Sequence, residues 1–294
     1  MSVAPGSNQR GALWILASAV CFTLMATLIK GLDQYPATLK VFYSAIASCM
    51  VLTPIILRSP RQAFVTSRPV LMITRCGLSA GGVTLAYYSY QHLPLAQANA
   101  LSFTRALWIV PLAAVLLGEK IGWLRVIALL TGFGGVLLVV RPSADASLGW
   151  AHAAALASAV MIALTVTGIK ALTRTHSATA IMSWSAVLGV VFTAPGALLN
   201  WRWPDLDDLA LLILMGASSV GAQICYIRGM SEGDASAMAS VDYSRLLFAV
   251  AVGALLFHEV LGLTAYAGMT LIVLSTGFVA FRGRAAAARQ ISPP

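Results

Sequence analysis

Residues 15–32 read ILASAVCFTLMATLIKGL, and residues 155–172 read ALASAVMIALTVTGIKAL. Set 140 positions apart, they match at Leu16 to Val20 with Leu156 to Val160, at Lys30 with Lys170 and at Leu32 with Leu172. The same offset, without a gap, aligns Arg105 with Arg245, Glu119 with Glu259 and Gly122 with Gly262. Apolar helices share alanine and leucine by composition alone. Rare charged residues held in register over about a hundred positions point instead to a duplicated unit. Each stretch is also about one bilayer crossing long, since a helix rises roughly 1.5 Å per residue through hydrocarbon roughly 30 Å thick.

The rest of the chain repeats that length. Of the 294 residues 59% are hydrophobic and 10% charged, with a mean hydropathy of +0.84. Soluble domains carry roughly 25% charged residues, so this chain has too few charges to cover a soluble surface. Apolar blocks predict spans near 11–30, 36–57, 69–91, 95–117, 122–140, 149–170, 178–199, 208–229, 236–257 and 262–281. Backbone groups in hydrocarbon must pair within their own segment, which makes the blocks helices. The fold expected is an all-α integral membrane protein of ten transmembrane helices. The retained first block is read as a span and not as a cleaved signal, because nine further blocks follow.

Charge orients the bundle. With both termini in the cytoplasm, twelve Lys and Arg residues between Arg10 and Arg289 fall on that side, and only Lys30, Lys40, Arg141 and Arg202 on the other. This asymmetry follows the positive-inside rule, and membrane orientation accounts for the net charge of +9 better than nucleic-acid binding does. Five spans per unit is an odd number, so the second copy crosses in the opposite sense. Two inverted five-helix repeats can exchange shapes between an inward-open and an outward-open form, the logic of alternating access in many secondary transporters.

Arg75, Arg105 and Arg245 remain inside predicted spans. Exposing one to lipid at mid-span costs about 2.5–3.5 kcal/mol, so those at mid-span, Arg105 and Arg245, should face a polar interior. Asp242, three residues before Arg245, can share its helical face. Two readings stand for this pair: structural glue between helices, or a cavity-lining gate that orients ligand. Asn99, Ser102, Thr104 and Trp108 accompany Arg105, and Ser240, Tyr243 and Ser244 accompany Asp242. Tyr87, Tyr88 and Tyr90 are read either as an interfacial aromatic belt or as a solute vestibule, with Tyr88 taken as the pathway candidate. Trp184 and Tyr226 are further aromatic candidates, or packing residues. Glu119 and Glu259 end the fourth and ninth spans, where each can anchor the turn into the next helix. Gly81 and Gly82 allow close helix packing, or a hinge.

Enzymatic motifs are missing. His92, His152, His176 and His258 are scattered and form no metal-binding spacing, and no phosphate loop or nucleophile elbow appears. No cofactor is expected. Cys21, Cys49, Cys76 and Cys225 all lie in apolar blocks and read as small core residues.

From about Gly11 to Phe281 the chain resembles the drug/metabolite transporter superfamily, in particular the ten-span EamA-type exporters. The paired LASAV segments carry the resemblance, with Pro94-Leu95-Ala96-Gln97-Ala98 before the fourth span and Leu117-Gly118-Glu119-Lys120 after it. The second half departs at Phe257-His258-Glu259-Val260, where Leu-Gly-Glu would match more closely. The resemblance implies a repeat over 1–141, an inverted repeat over 149–281 and a short basic tail over 282–294. It implies a pathway lined by the first four helices of each half, with the fifth and tenth peripheral. The implied function is export of amino acids, aromatic and neutral ones included, or related metabolites across the bacterial inner membrane. A broad-specificity drug/metabolite exporter is the alternative, and a passive channel a second one. The partners implied are a small-molecule substrate and membrane lipids, with no nucleic acid.

Single cysteines placed at 30 and 170, in a background freed of the four native cysteines, should label from opposite faces of the membrane. Labelling from one face would contradict inversion.

Overall fold

The computed structural model describes residues 5–58, 60–117, 123–140, 149–172, 175–232, 241–242 and 244–275. Regular structure among them is entirely helical: α1 (Pro5–Gly31), α2 (Ala37–Arg58), a single turn α3 (Pro60–Ala63), α4 (Pro69–His92), α5 (Leu95–Phe103), α6 (Arg105–Leu117), α7 (Trp123–Val140), α8 (Trp150–Leu172), α9 (Ala178–Leu199), α10 (Leu206–Glu232), α11 (Ser244–Phe257) and α12 (Leu263–Ser275).

Six segments are long and apolar enough to cross a membrane: Gln9–Gly31, Ala37–Arg58, Pro69–His92, Trp150–Ile169, Thr179–Leu199 and Leu206–Met230. They coincide with the first, second, third, sixth, seventh and eighth expected spans. Among the described residues, six of the ten expected transmembrane helices thus stand as long apolar helices. The fourth span is divided at Thr104, and α7 occupies the fifth. The ninth and tenth are represented by the 14-residue α11 and the shorter α12, with 233–240, 243 and 276–281 outside the described residues.

The division at Thr104 has a local cause. Its backbone N–H and its hydroxyl both donate to the Leu101 carbonyl, at 3.1 and 2.6 Å. Bonding back three residues tightens the turn, and α6 restarts at Arg105. Helix ends elsewhere are set by charge and backbone shape. Lys40, fully buried, donates to the Ile29 and Leu32 carbonyls at 2.6 and 3.0 Å, satisfying the open C-terminus of α1 where a cation is favoured. After α11 the chain turns through His258 at φ 50°, and the Glu259 N–H returns to the Gly253 carbonyl at 3.0 Å. The matched position in the first half is Gly118. The left-handed conformation of His258 would suit glycine and strains histidine.

Packing pairs the halves crosswise. α1 lies along α10 as α8 lies along α4, α2 meets α9, and α1 touches α11 as α8 touches α6. The ends of α1, α4 and α6 recur 140 or 141 residues later at the ends of α8, α10 and α11. Ser18 Oγ donates to the Ala222 carbonyl at 2.8 Å, joining α1 to α10. α7 and α12 approach each other so closely that a Cβ on Gly135 would lie 2.8 Å from the Gly268 carbonyl. Leu13, Met50, Leu130, Leu198, Leu247 and Leu255 point outward and exposed, as lipid contact requires.

Replacing His258 with glycine should relieve the left-handed strain and stabilise the protein by about 1 kcal/mol, read as a higher melting temperature in detergent.

Candidate functional site

Arg245 is held at the seam where α1, α5 and α11 meet. Its Nη2 donates to Asp242 Oδ2 at 3.1 Å, and both residues are buried. The guanidinium lies between two rings, 4.5 Å from the Phe22 centroid and 4.7 Å from that of Phe103. Cation–π attraction and one carboxylate thus replace water around the charge. The replacement is incomplete: Arg245 Nε, Asp242 Oδ1 and Ser244 Oγ are buried without a protein partner among the described residues. Phe22 in turn stands edge-on to Tyr90 at 5.9 Å.

Tyr90 connects this pair to the α5–α6 break. Its hydroxyl lies 3.4 Å from Asn99 Oδ1, while Asn99 donates to the Leu95 carbonyl at 3.1 Å and Ser102 to the Asn99 carbonyl at 2.7 Å. Arg105 is half-buried and makes no salt bridge among the described residues. Trp108 packs edge-on against Phe133 at 4.9 Å, its Nε1 buried without an acceptor. Tyr87 Oη lies 2.9 Å from Ser44 Oγ on α2. Charged, amide and aromatic groups thus meet in one largely buried neighbourhood.

One end of the bundle is fastened across the halves. Lys30 Nζ meets Glu259 Oε1 at 2.5 Å and donates to the Leu93 carbonyl at 2.8 Å, with the Phe257 ring 5.4 Å away. Glu259 Oε2 accepts the Leu95 N–H at 2.9 Å. A Cβ on Gly253 would collide with that carboxylate, so glycine makes its room. Asp208 accepts from Tyr35 at 2.7 Å and from Gln34 at 3.2 Å, and Arg202 donates to the Gln34 carbonyl at 2.9 Å. The bond to Asp208 holds the Tyr35 phenol above its ordinary pKa. Beside these contacts lies a cleft of about 400 Å³ lined by Asp33, Gln34, Pro36, Asn200, Trp201 and Arg202. At the other end His176 Nε2 accepts the Ser67 N–H at 3.0 Å and lies 3.1 Å from Thr66 Oγ1, and Trp184 donates to the Phe64 carbonyl at 3.3 Å.

The expected residues are thus only partly gathered. Asn99, Ser102, Asp242 and Arg245 lie in one neighbourhood, with Arg105 and Trp108 on the adjoining α6. Tyr88 does not join them: it stacks on His92 at 4.1 Å, while its neighbours Tyr87 and Tyr90 turn into the core. Trp184 belongs to the distant Phe64 contact, and Tyr226 is half-buried on α10 with none of these contacts. Glu259 is an anchor for Lys30 as well as for its own turn. Tyr243 and Glu119 lie outside the described residues. Gly81 and Gly82 sit within unbroken α4, and a Cβ on Gly82 would come within 3.1 Å of Met161, so close packing on α8 accounts for them. Phe22, Tyr90, Phe103 and Lys30 are additions from the structure. The spacing of Tyr87 and Tyr90 on one helical face was a usable signal; the ring sandwich, drawn from distant helices, left none.

A model of the EamA-like transporter family matches residues 9–141 and again 149–281. An S-adenosylmethionine uptake transporter of Rickettsia bellii is 26% identical over 282 residues, covering 96% of this chain and 97% of that protein. A riboflavin transporter of Vibrio cholerae is 27% identical, with 92% of each chain covered. A pseudopaline exporter of Pseudomonas aeruginosa is 26% identical, covering 91% of this chain and 94% of its own. A solved crystal structure shares the fold at a TM-score of 0.62 and 18% identity, covering 99% of this chain and 100% of its own.

Asp242→Asn or Arg245→Met should each destabilise by about 3 kcal/mol, because each strands a buried charge or its partner. The double variant should melt above both single variants in detergent, which a surface pair would not do.

Proposed function

The chain belongs to the EamA-like transporter family, and from that premise we propose that it exports small metabolites of broad range by alternating access between two inverted five-helix repeats. It is a membrane transporter of small molecules and not an enzyme. Broad specificity is favoured over an amino-acid exporter because the relatives' named cargoes, S-adenosylmethionine, riboflavin and pseudopaline, share no single charge or shape.

One observation carries the mechanism. Gln34 and Tyr35 are tied to Asp208 at one end of the bundle, and His176 is tied to Thr66 and Ser67 at the other. Under the offset of 140, positions 34, 35 and 208 correspond to 174, 175 and 68, which adjoin the tied residues of the other end. The two ends therefore use corresponding stretches of chain, through different residues, with the halves exchanged. An alternating-access carrier needs such interchangeable closures, each of which opens while the other holds. We assign the His176 end to the cytoplasm and the Lys30 end to the opposite face of the inner membrane, in keeping with the distribution of Lys and Arg. Between them the Arg245–Asp242 pair, the Phe22 and Phe103 rings, Tyr90, Asn99 and Arg105 form the transit region. Phenyl faces take an apolar or heteroaromatic body, and the charged and amide groups orient its polar substituents.

Purified protein in liposomes should carry labelled S-adenosylmethionine or riboflavin down a gradient, with saturation and with competition among unlike solutes. Arg105→Gln, which breaks no salt bridge among the described residues, should slow that flux at least about five-fold at unchanged melting temperature. Saturable flux confined to amino acids would overturn the broad reading, and an ohmic conductance would overturn the carrier.

A further inference from the structure

Arg75 takes no part in the transit region, yet it is 4% exposed inside α4. Its Nη2 donates to Ser185 Oγ on α9 and lies 3.2 Å from Cys76 Sγ. Ser185 spends its own proton on the Ile181 carbonyl, at 2.5 Å. Arg75 Nε is buried without an acceptor, and no Asp or Glu among the described residues forms an ion pair with it. A guanidinium cannot shed its proton to escape such a site. Two other buried cations have partners that Arg75 lacks among the described residues: Arg245 a carboxylate and two rings, although its Nε is also unmatched, and Lys40 two carbonyls that end a helix.

The repeat shows that packing does not call for this cation. At an offset of 140, Arg75 corresponds to Met215, Ser185 to Ala45, and Gly168 to Leu28. Met215 is itself fully buried, so the fold fills the same place in the other half with an apolar chain. In the first set Gly168 makes way for the arginine stem: a Cβ there would stand 3.3 Å from Arg75 Cγ. Charge, hydroxyl and space thus occur together in this set and not in its counterpart. A guanidinium fork with donors left over matches an oxyanion, which accepts two parallel N–H bonds.

We propose that Arg75, held in place by Ser185 as a positioning residue, forms a binding site for the carboxylate, or an equivalent oxyanion, of a solute entering from the cytoplasmic end. The assignment of that end and of a travelling solute rests on the transport reading; the anion site itself does not. Its one-sidedness gives anionic solutes a higher affinity on the side of Arg75 than on the side of Met215.

The test uses the full chain in phosphatidylcholine nanodiscs, with succinate as probe and choline chloride at equal ionic strength as control. Succinate should raise the melting temperature saturably by about 3–5 °C and perturb the fluorescence of Trp184, which adjoins Ser185 in the sequence. Arg75→Met should abolish both responses, Arg75→Lys should keep a weaker one, and Ser185→Ala should raise the half-saturating concentration about five-fold. If Arg75→Met fails to fold, the lysine and alanine variants decide. An equal response in all variants, or none in the parent protein, overturns the site. A rise produced by phosphatidylglycerol and not by succinate overturns the solute assignment in favour of a lipid phosphate. Succinate binding by a protein that carries no solute would sink the transport reading and leave this site standing.

Discussion

A polar group inside hydrocarbon has no water to turn to, and each one in this bundle must find its partner in the protein. Backbone amides find theirs along the helix, which is why the described structure is helical throughout. Hydroxyls behave likewise: Thr23, Thr27, Ser48, Thr84, Thr165 and Thr193 all donate to a carbonyl four residues earlier. Charged side chains need more than the helix's own carbonyls, and several draw separate segments together.

Lys30, Lys40 and Arg245 represent three solutions. Lys40 closes a helix end and stays within one half. Lys30 reaches from the first half to Glu259 in the second, and its ammonium also holds the Leu93 carbonyl, so one cation ties three chain segments. Arg245 takes a carboxylate three residues away on its own strand of sequence and two rings from elsewhere. The first fastens, the second joins halves, and the third keeps charge at the centre with some polar atoms still unmatched. Unmatched atoms are a cost in a static core. They are expected where a solute must be held and then released, since full internal satisfaction would leave nothing to offer it.

How much of this could be read beforehand follows the range of each interaction. The Asp242–Arg245 pair was legible because three residues on a helix are neighbours. Six spans were legible because bilayer thickness imposes a length, and the duplication because charged residues kept their register. Glu259 was recognisable as an anchor, but not Lys30 as its partner, because 229 residues separate them. The sandwich of Phe22 and Phe103 is equally non-local. Tyr88 was preferred to Tyr90 because periodicity alone does not say which side of α4 meets the core. The division at Thr104 turns on a single hydroxyl choosing a carbonyl three residues back, a choice that competes closely with the uninterrupted helix.

The two halves are most instructive where they differ. Identical inverted repeats would give two shapes of equal energy, one the mirror in function of the other, with no preference between them. Here Lys40, which clamps the end of α1, corresponds to Ala180, a buried residue with no charge to lend. His258 sits strained where the matched position has Gly118. Arg75 and Ser185 face an apolar counterpart set. Each difference adds free energy to one end and not the other, and a population shifts only by such differential terms. In the alternating-access cycle proposed above, the common register would supply interchangeable closures, and these few substitutions would make their exchange unequal. An exchange weighted toward one shape at rest, with solute contacts redressing the balance, would give such a carrier a defined resting side.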